Sequence, residues 1–310
     1  MASDPIYDPL RRFPALDLKG LKMARVMMKA MQRAQPRKTS PAVTFEDRVI
    51  ARPHRSIPVR IYRPVGVERP GVLLFFHGGG FVVGDLDTEH PRGVDYAELG
   101  GVVVVSVDYR LAPENPFPAA HDDAWSILEW VLEGGLGEGV DPGRLGVAGG
   151  SAGACLAAGL ALRDRDEARG AISFSLLMQP VVDHLSTHPS AQAFNDTPFL
   201  RAKDLPKAWG AYLPRPPSMP RLSYAAPLYA QTYSGLAPTF VVVGEDDPSR
   251  DEALAMALRM VDDGVEVELH FFPGAPHGFE MVETAPATLT ALQLRGSALR
   301  RALGRPTARA

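Results

Sequence analysis

Cysteine is almost absent from this sequence. Cys155 is the only one among 310 residues. A single thiol cannot form an internal disulfide framework or a cysteine-based zinc cluster, and this composition is typical of a reducing compartment. Cys155 also lies among alanines, so we interpret it as a small buried residue and not as a nucleophile. We therefore expect a cytoplasmic protein.

Long apolar runs and a strong charge imbalance are also missing. The longest purely apolar runs, such as "VVVV" at 102–105, are too short to cross a bilayer, so we expect no membrane span. The opening "MASDPIYDPLRRF" lacks the charged-then-apolar order of a secretory signal. The formal net charge of −3 gives no indication of a nucleic-acid partner or of binding to an anionic membrane.

Short apolar runs alternate with helical patterns along most of the chain. Consecutive apolar residues, rich in valine, are typical of strands covered on both faces. Such runs occur at 71–76, 101–107, 144–149, 172–179, 239–244 and 265–272. Stretches with helical spacing lie between several of them. This alternation predicts an α/β fold with a mostly parallel central sheet and helices on both faces.

Polar and apolar residues also alternate within single elements. Segments 43–51 and 57–64 alternate with a period of two, which predicts antiparallel edge strands. In the helical pattern after residue 250, Leu254, Leu258 and Val261 share one face, which we expect to be buried.

Two regions depart from the strand–helix alternation. The first is predicted to contain a helix in which Met23, Met27 and Met31 form one stripe. This stripe either packs on the body or belongs to a mobile cap whose methionines line an apolar pocket. The second is irregular and rich in proline, as a lid insertion would be. We therefore predict N-terminal cap helices at 1–45 and a catalytic domain at 46–310 with a cap insertion at about 184–222.

The stretch "RLGVAGGSAGACLAAGLAL" predicts a strand, a sharp turn and a helix around Ser151. A G-x-S-x-G sequence at such a junction is typical of a nucleophile elbow, in which a strained turn lifts the serine hydroxyl above the sheet. Larger residues at Gly149 or Gly153 would collide with the adjoining backbone. Glycine is common here, so the alternative is that Ser151 simply caps the helix.

A second glycine-rich stretch, "FFHGGGFVVGD", follows an apolar strand directly. Three successive glycines allow backbone amides to point into a cavity, where they could form an oxyanion hole. We expect donors from Gly79 and Gly80, with Gly78 less favoured, and from Ala152 at the elbow. A phosphate-binding loop is the alternative, but no G-K-[ST] follows and the spacing is not G-x-G-x-x-G. His77 is expected to orient this loop.

An acid and a base are available later in the chain, in the order that strand-turn-helix serine hydrolases use. Asp246, Asp247 and Asp251 are all candidate acids just past a predicted strand. His277 lies in the glycine–proline loop "PGAPHGF" after the next strand, where its ring can face a cavity. His270 falls inside the strand pattern and is expected to be a packed residue.

Five stretches together resemble the hormone-sensitive-lipase-like esterases, the bacterial family IV group of α/β-hydrolases. They occur in family order: "HGGGFVVGD", "VVVVSVDYRLAPENPFPAAHDDAW", "GGSAG", "GEDDPSRDE" and "PGAPHGF". The resemblance implies the α/β-hydrolase fold and a catalytic triad of Ser151, Asp247 and His277. It favours Asp247 over Asp246 because the family's acid precedes a leucine-arginine-aspartate-like stretch by one residue. It also implies oxyanion donors from Gly79, Gly80 and Ala152.

The sequence departs from the family pattern at three positions. Gly150 stands where aspartate usually precedes the nucleophile, Ser249 where leucine is usual, and Asn115 where histidine is frequent. None of these changes removes a catalytic group, so catalysis is expected to be retained.

The resemblance implies a serine carboxylesterase that hydrolyses short- to medium-chain esters through an acyl-enzyme, with no metal or cofactor. Its partner is then a small-molecule ester, and assembly as a homodimer stays open. An amidase or lactonase could use the same residues, and a ligand-binding protein could retain the fold without activity. Five aromatic residues suggest an apolar acyl or alcohol pocket, or ordinary core packing: Phe81, Phe194, Phe199, Trp209 and Tyr212.

Overall fold

A computed structural model describes residues 4–13, 15–33, 37–53 and 55–304. The strands of the described chain are β1 Val43–Arg52, β2 Arg55–Pro64, β3 Gly71–Phe76, β4 Val103–Val107, β5 Asp141–Gly150, β6 Ile172–Met178, β7 Thr239–Asp246 and β8 Val267–Pro276. The α-helices are α1 Leu21–Arg33, α2 His90–Gly100, α3 Ala119–Leu132, α4 Ala152–Asp166, α5 Pro189–Ala193, α6 Leu205–Tyr212, α7 Arg221–Ala225, α8 Arg250–Asp262 and α9 Pro286–Leu303. Short 3-10 helices span Pro5–Arg12, Ala202–Asp204, Pro227–Tyr229 and Phe279–Met281.

The strands form one sheet in the order β1-β2-β4-β3-β5-β6-β7-β8. The β1–β2 and β2–β4 pairs are antiparallel, and every later pair is parallel. The six apolar runs all form strands, so the predicted mostly parallel α/β sheet is confirmed. Parallel strands bring their carboxyl ends to one edge of a sheet. Residues that directly follow β3, β5, β6, β7 and β8 therefore come together.

The sheet separates two apolar cores. In β3, Val72, Leu74 and Phe76 face one core, which includes α3 and α4. Leu73 and Phe75 point the other way, into a core shared with α2 and α9. Successive side chains of a strand alternate between its faces, so a continuously apolar strand requires cover on both sides. The prediction of helices on both faces is confirmed.

The edge position predicted for β2 is wrong. Only β1 lies at that edge, because β2 pairs with β4 on its other side. The polar residue that marks the alternation is buried: the Arg60 guanidinium donates to Asp47 at 2.6 Å and to Asp87 at 2.8 Å. A buried ion pair thus reproduces the alternating pattern of a strand exposed on one face.

The buried face predicted for α8 is also wrong. The side chains of Leu258 and Val261 are 60% and 53% exposed. The buried face carries smaller or more flexible side chains, Ala253, Met256, Ala257 and Met260. Ala253 and Ala257 pack directly on β7, because their small size lets the helix approach the sheet closely. The spacing of apolar residues would allow either of two faces of α8 to be buried. The face with alanines is the buried one, because it lets the helix backbone lie closer to the sheet.

The methionine stripe of α1 does not pack on the body. Met23 and Met27 are 65% and 58% exposed, and the side chain of Met31 lies outside the described residues. The helix is fixed instead by buried Leu21 and by Arg25, whose guanidinium donates to the Val82 carbonyl at 2.7 Å. Packing of the stripe on the body is therefore wrong for the two described methionines, and the mobile-cap interpretation stays a prediction.

The N-terminal segment contacts the proline-rich insertion. The Phe13 and Phe199 rings meet edge-to-face with centroids 5.1 Å apart. The Leu16 amide donates to Asp204 at 3.2 Å, and the Lys207 ammonium donates to the Leu16 carbonyl at 2.9 Å. Two segments far apart in the sequence thus cover the same side of the molecule.

Candidate active site

Ser151 occupies a strained turn between β5 and α4. Its φ of 56° and ψ of −119° lie where non-glycine residues are rare. A Cβ at Gly149 would lie 2.2 Å from the Gly153 carbonyl carbon, and one at Gly153 would lie 2.0 Å from the Phe76 oxygen. These distances supply the physical reason for the G-x-S-x-G spacing. The Ser151 side chain makes no capping hydrogen bond to α4, so the helix-cap alternative is wrong.

The Ser151 hydroxyl meets the ring of His277. Its Oγ lies 2.9 Å from Nε2 of His277, and Nδ1 of the same ring lies 2.8 Å from Oδ2 of Asp247. If Nδ1 carries the proton that the carboxylate accepts, Nε2 is free to accept from the serine hydroxyl. Each residue directly follows the carboxyl end of a strand, respectively β5, β8 and β7.

Asp247 is fully buried and receives hydrogen bonds on both oxygens. Oδ1 accepts from the Ser249 amide at 2.7 Å and from the Ser249 hydroxyl at 2.8 Å. Oδ2 accepts from His277 and from Nε2 of Gln179 at 2.9 Å. The other two candidate acids are placed differently. Asp251 accepts from the Ser190 amide, and Asp246 ends β7 opposite Pro276.

The glycine-rich loop lies against the elbow. A Cβ at Gly78 would lie 3.6 Å from Cβ of Ser151. Gly79 has φ +116° and a Cβ there would lie 2.2 Å from the Val83 oxygen, so only glycine fits. Gly80 has φ +60°. The Ala152 amide is at the first turn of α4, where helix N–H groups lack intrahelical acceptors. The glycine loop and the first turn of α4 therefore both bring backbone N–H groups close to Ser151.

His77 fixes the start of this loop. Its Nδ1 lies 2.7 Å from the Gly78 oxygen, its ring stacks on Tyr109, and its carbonyl accepts from the Tyr109 hydroxyl at 2.7 Å. A Cβ at Gly84 would lie 2.3 Å from Nδ1 of His77. The residue thus orients the loop, as predicted.

Residues 73–281 match the sequence model of a protein family whose description is alpha/beta hydrolase fold. The chain belongs to this family. Within it, the hydrolase falls in the hormone-sensitive-lipase-like group, as its motifs indicated.

Several proteins named as esterases are similar to this hydrolase. Esterase LipI of Mycobacterium tuberculosis is 38% identical over 269 residues, covering 84% of this chain and 81% of LipI. Carboxylesterase NlhH of the same species is 35% identical over 298 residues, covering 94% and 92%. The crystal structure of esterase LipW from Mycobacterium marinum is 36% identical, covers 97% of this chain and 96% of LipW, and superposes with a TM-score of 0.90.

Gln179 is a site residue that the sequence analysis missed. Its Nε2 donates to Asp247 and to the Pro276 carbonyl at 3.0 Å, and its Oε1 accepts from the Gly278 amide at 2.8 Å. One side chain thereby holds the acid and both sides of the histidine loop. The available signal was position: Gln179 directly follows β6, as the other site residues follow their strands.

The five aromatic residues divide between the site and the core. Phe81, Trp209 and Tyr212 are buried in one apolar core, which favours ordinary core packing for these three. Phe199 lies parallel to the His277 ring with centroids 6.2 Å apart. Phe81 follows the glycines and stacks on Tyr212 at 3.8 Å, with Trp209 beside it at 5.3 Å. Phe194 instead lies beneath the Arg250 guanidinium. The insertion thus places aromatic rings next to both the histidine and the glycine loop.

Glu252 is a second buried acid near Asp247, and its pKa is shifted. Burial raises the pKa of Glu252 well above its usual value, and repulsion from Asp183 and Asp247 adds to this effect. One of its oxygens accepts from the Val182 amide at 2.7 Å, and the other has no partner among the described residues. Burial therefore favours the neutral form of Glu252, and it is Asp247 that contacts His277.

The remaining described histidines make contacts outside the Ser151–His277–Asp247 line. His90 and His121 are buried, and His184 packs edge-to-face on Tyr229. His188 is within 4.0 Å of Asp183, and His270 pairs with Glu268 at 2.9 Å and is partly exposed, less buried than predicted. His54 lies outside the described residues.

Across residues 4–13, 15–33, 37–53 and 55–304, no three His, Cys, Asp or Glu side chains are grouped so that they could hold a metal ion. In the same part of the chain, none of the helices combines the length and apolarity that a bilayer crossing requires. Cys155 is buried and its thiol lies 3.3 Å from the Ala225 carbonyl.

Proposed function

We propose that this carboxylic ester hydrolase cleaves short- to medium-chain esters through an acyl-enzyme on Ser151. The observation that carries the proposal is the continuous hydrogen-bonded line from Ser151 through His277 to Asp247, at 2.9 and 2.8 Å. These distances match those expected of a nucleophile, a general base and the group that orients the base. Its relatives are named esterases, which does not favour the amidase, lactonase or ligand-binding alternatives.

The first step is attack on the ester carbonyl. Nε2 of His277 takes the proton of Ser151 as Oγ bonds to the carbonyl carbon, and Asp247 stabilises the resulting imidazolium. The amides of Gly79, Gly80 and Ala152 are the proposed donors to the oxyanion. In comparable enzymes the loss of one such donor costs about 3–4 kcal/mol of transition-state stabilisation.

The second half of the cycle releases the products. Protonated His277 gives its proton to the alkoxide oxygen of the leaving alcohol, and the carbon–oxygen bond breaks to leave an ester on Ser151. Water then attacks that ester as His277 accepts its proton. His277 returns this proton to Oγ of Ser151 as the acyl–Oγ bond breaks and the carboxylic acid departs. Phe199 lies parallel to the His277 ring with centroids 6.2 Å apart and is only partly buried, so it is the aromatic ring placed to contact the ester.

We also propose that the N-terminal helices within 1–45 and the insertion at about 184–222 together form a cap. The contacts that Phe13 and Leu16 make with the insertion support a single cap built from both segments. Ala208 of the insertion also lies over the glycine loop, because its Cβ is 3.4 Å from the position that a Cβ at Gly80 would take.

We also propose a cytoplasmic location and assembly as a homodimer. Strand β8 lies at the edge of the sheet, and its side chains Leu269 and Phe271 are exposed, which supports pairing with a second copy of the chain. Light scattering, which measures the molar mass in solution, tests the dimer.

Ser151→Ala tests the proposed function. We expect it to abolish hydrolysis of an aryl ester and labelling by a fluorophosphonate, with the circular-dichroism spectrum unchanged. A series of aryl esters from acetate to palmitate should show the highest kcat/KM at short to medium acyl length. Turnover by Ser151→Ala at the original rate would contradict the assignment of the nucleophile.

A further inference from the structure

Gly150, next to the nucleophile, is not required by the backbone. Its neighbour Gly149 could not carry a Cβ without a collision, but a Cβ at Gly150 would meet one described atom within 4 Å, Oε1 of Glu89, at 3.9 Å. The position also lies outside the left-handed region. A side chain is therefore sterically allowed at residue 150, and the space into which it would point is adjacent to the Glu89 carboxylate.

Glu89 reaches this space from a different part of the chain. It is the N-cap residue of α2 and is largely buried. Its Oε1 accepts from the Gly78 amide at 3.4 Å and would lie 3.6 Å from a Cβ at Gly78. The carboxylate thus touches both the glycine loop and the residue before Ser151. It also engages the one glycine amide of the loop that is not a proposed oxyanion donor.

A line of alternating charges continues from Glu89 through the interior. Its Oε2 forms a short ion pair with Arg92. Arg92 continues to Glu280 at 3.4 Å, and Glu280 pairs with buried Arg295 at 3.1 Å. Glu280 belongs to the 3-10 helix that begins two residues after His277. The two carboxylates and two guanidiniums sum to zero charge and connect the glycine loop with the histidine loop.

We propose that Glu89 is a positioning residue for ester hydrolysis, whose carboxylate fills the space left open by Gly150 and holds the glycine loop against Ser151. The family usually supplies a carboxylate from residue 150 itself, and here α2 supplies it. Arg92 offsets the negative charge, which would otherwise oppose the developing oxyanion. The inference rests on the proposed function, because Glu89 acts through the loop that presents the oxyanion donors.

Glu89→Gln is the primary test, since it preserves size while removing the charge that pairs with Arg92. We expect kcat for an aryl acetate to fall about 10- to 100-fold, as small displacements of catalytic groups do, with KM changed less than about threefold. An aryl trifluoromethyl ketone inhibits such enzymes because the serine hydroxyl adds to its carbonyl carbon and leaves an oxyanion. We expect its inhibition constant to rise by the same factor by which kcat/KM falls. Glu129→Gln, which breaks ion pairs of α3 with Arg52 and Arg169, is the matched control and should leave kcat unchanged.

A rescue experiment separates positioning from general stability. Gly150→Asp alone should lower kcat, because its carboxylate would crowd that of Glu89. In Glu89→Ala/Gly150→Asp the new carboxylate has the vacated space, and we expect at least about tenfold recovery of kcat relative to Glu89→Ala. If Glu89→Ala does not fold, recovery of a folded and active double variant supports the proposal. A folded double variant without improved activity contradicts it.

The two proposals fail in different ways. Undiminished turnover by Ser151→Ala would overturn the proposed function whatever Glu89 does. Activity that depends on Ser151 but is unchanged in Glu89→Gln, with only the melting temperature lowered, would overturn the positioning role of Glu89 alone.

Discussion

The Ser249 hydroxyl donates to Oδ1 of Asp247 at 2.8 Å while His277 engages the other oxygen, Oδ2, also at 2.8 Å. Ser249 stands where the family usually has leucine, so this hydrolase gives the buried carboxylate a donor that leucine could not provide. The same hydroxyl lies 3.5 Å from Nδ1 of His277. A departure from the family pattern has thereby become part of the site.

Ser249→Ala should lower kcat about tenfold and leave KM nearly unchanged. A hydrogen bond to a charged group contributes about 1.5–3 kcal/mol, and the other donors to Asp247 recover part of the loss. Steady-state kinetics with an aryl acetate measures this change. Ser190→Ala is the control, because that buried serine donates to the Pro248 carbonyl and does not touch Asp247. Equal kcat values for the two variants would rule out a role for the Ser249 hydroxyl.

Asp247→Asn should reduce kcat by about 10³- to 10⁴-fold, because an amide no longer stabilises the imidazolium and favours the wrong tautomer. Asp246→Asn, one residue earlier at the end of β7, should change kcat by less than about tenfold, since only Asp247 pairs with the histidine. Both variants can be compared in one assay. The reverse ranking would move the acid to Asp246.

Gly153→Ala should reduce the free energy of unfolding by about 3 kcal/mol or more, since the added Cβ would lie 2.0 Å from the Phe76 oxygen. Gly210→Ala provides a contrasting control: a Cβ there meets nothing within 4 Å, and alanine favours helix α6 by up to about 1 kcal/mol. Urea denaturation measures both. Similar stabilities for the two variants would mean that the elbow tolerates a methyl group.

The free energy of unfolding should decrease as the pH falls from about 6.5 to about 4. Burial, with Arg163 nearby, lowers the pKa of His121 to about 4, whereas an unfolded histidine binds its proton near ~6.5. The unfolded state therefore binds more protons in this window, so stability is fully present above it and is lost below it. Burial also lowers the pKa values of His90 and His184, which adds to the same trend.

His121→Phe isolates the contribution of one ring. Between pH 7.5 and 5 this variant should lose about 2 kcal/mol less stability than the unmodified protein, measured by urea denaturation at each pH. Leu258→Gln, at an exposed position of α8 with no titratable group, is the control and should keep the original pH dependence. If His121→Phe retained that dependence as well, buried neutral His121 would not be its source.

Local sequence patterns predicted the sheet and the elbow well. Both signals are short patterns that can be recognised along the chain: valine-rich runs are typical of strands covered on both faces, and the glycines around Ser151 are typical of a turn with close backbone contacts. The patterns predicted side-chain orientation less well. The exposed Met23, Met27 and Leu258 show that apolar spacing does not select between two permissible helix faces. That choice depended on which face could approach the sheet.

The order of residues along the chain fixed the strands, the turn at Ser151 and the chemical types available after each strand, because these follow from local backbone geometry and hydrophobic periodicity. The parallel register of β3, β5, β6, β7 and β8 decided which of those types meet. Gln179 and Glu89 belong to no recognisable sequence motif. Their place beside the nucleophile arises from strand order and helix packing, which bring together groups separated by tens of residues.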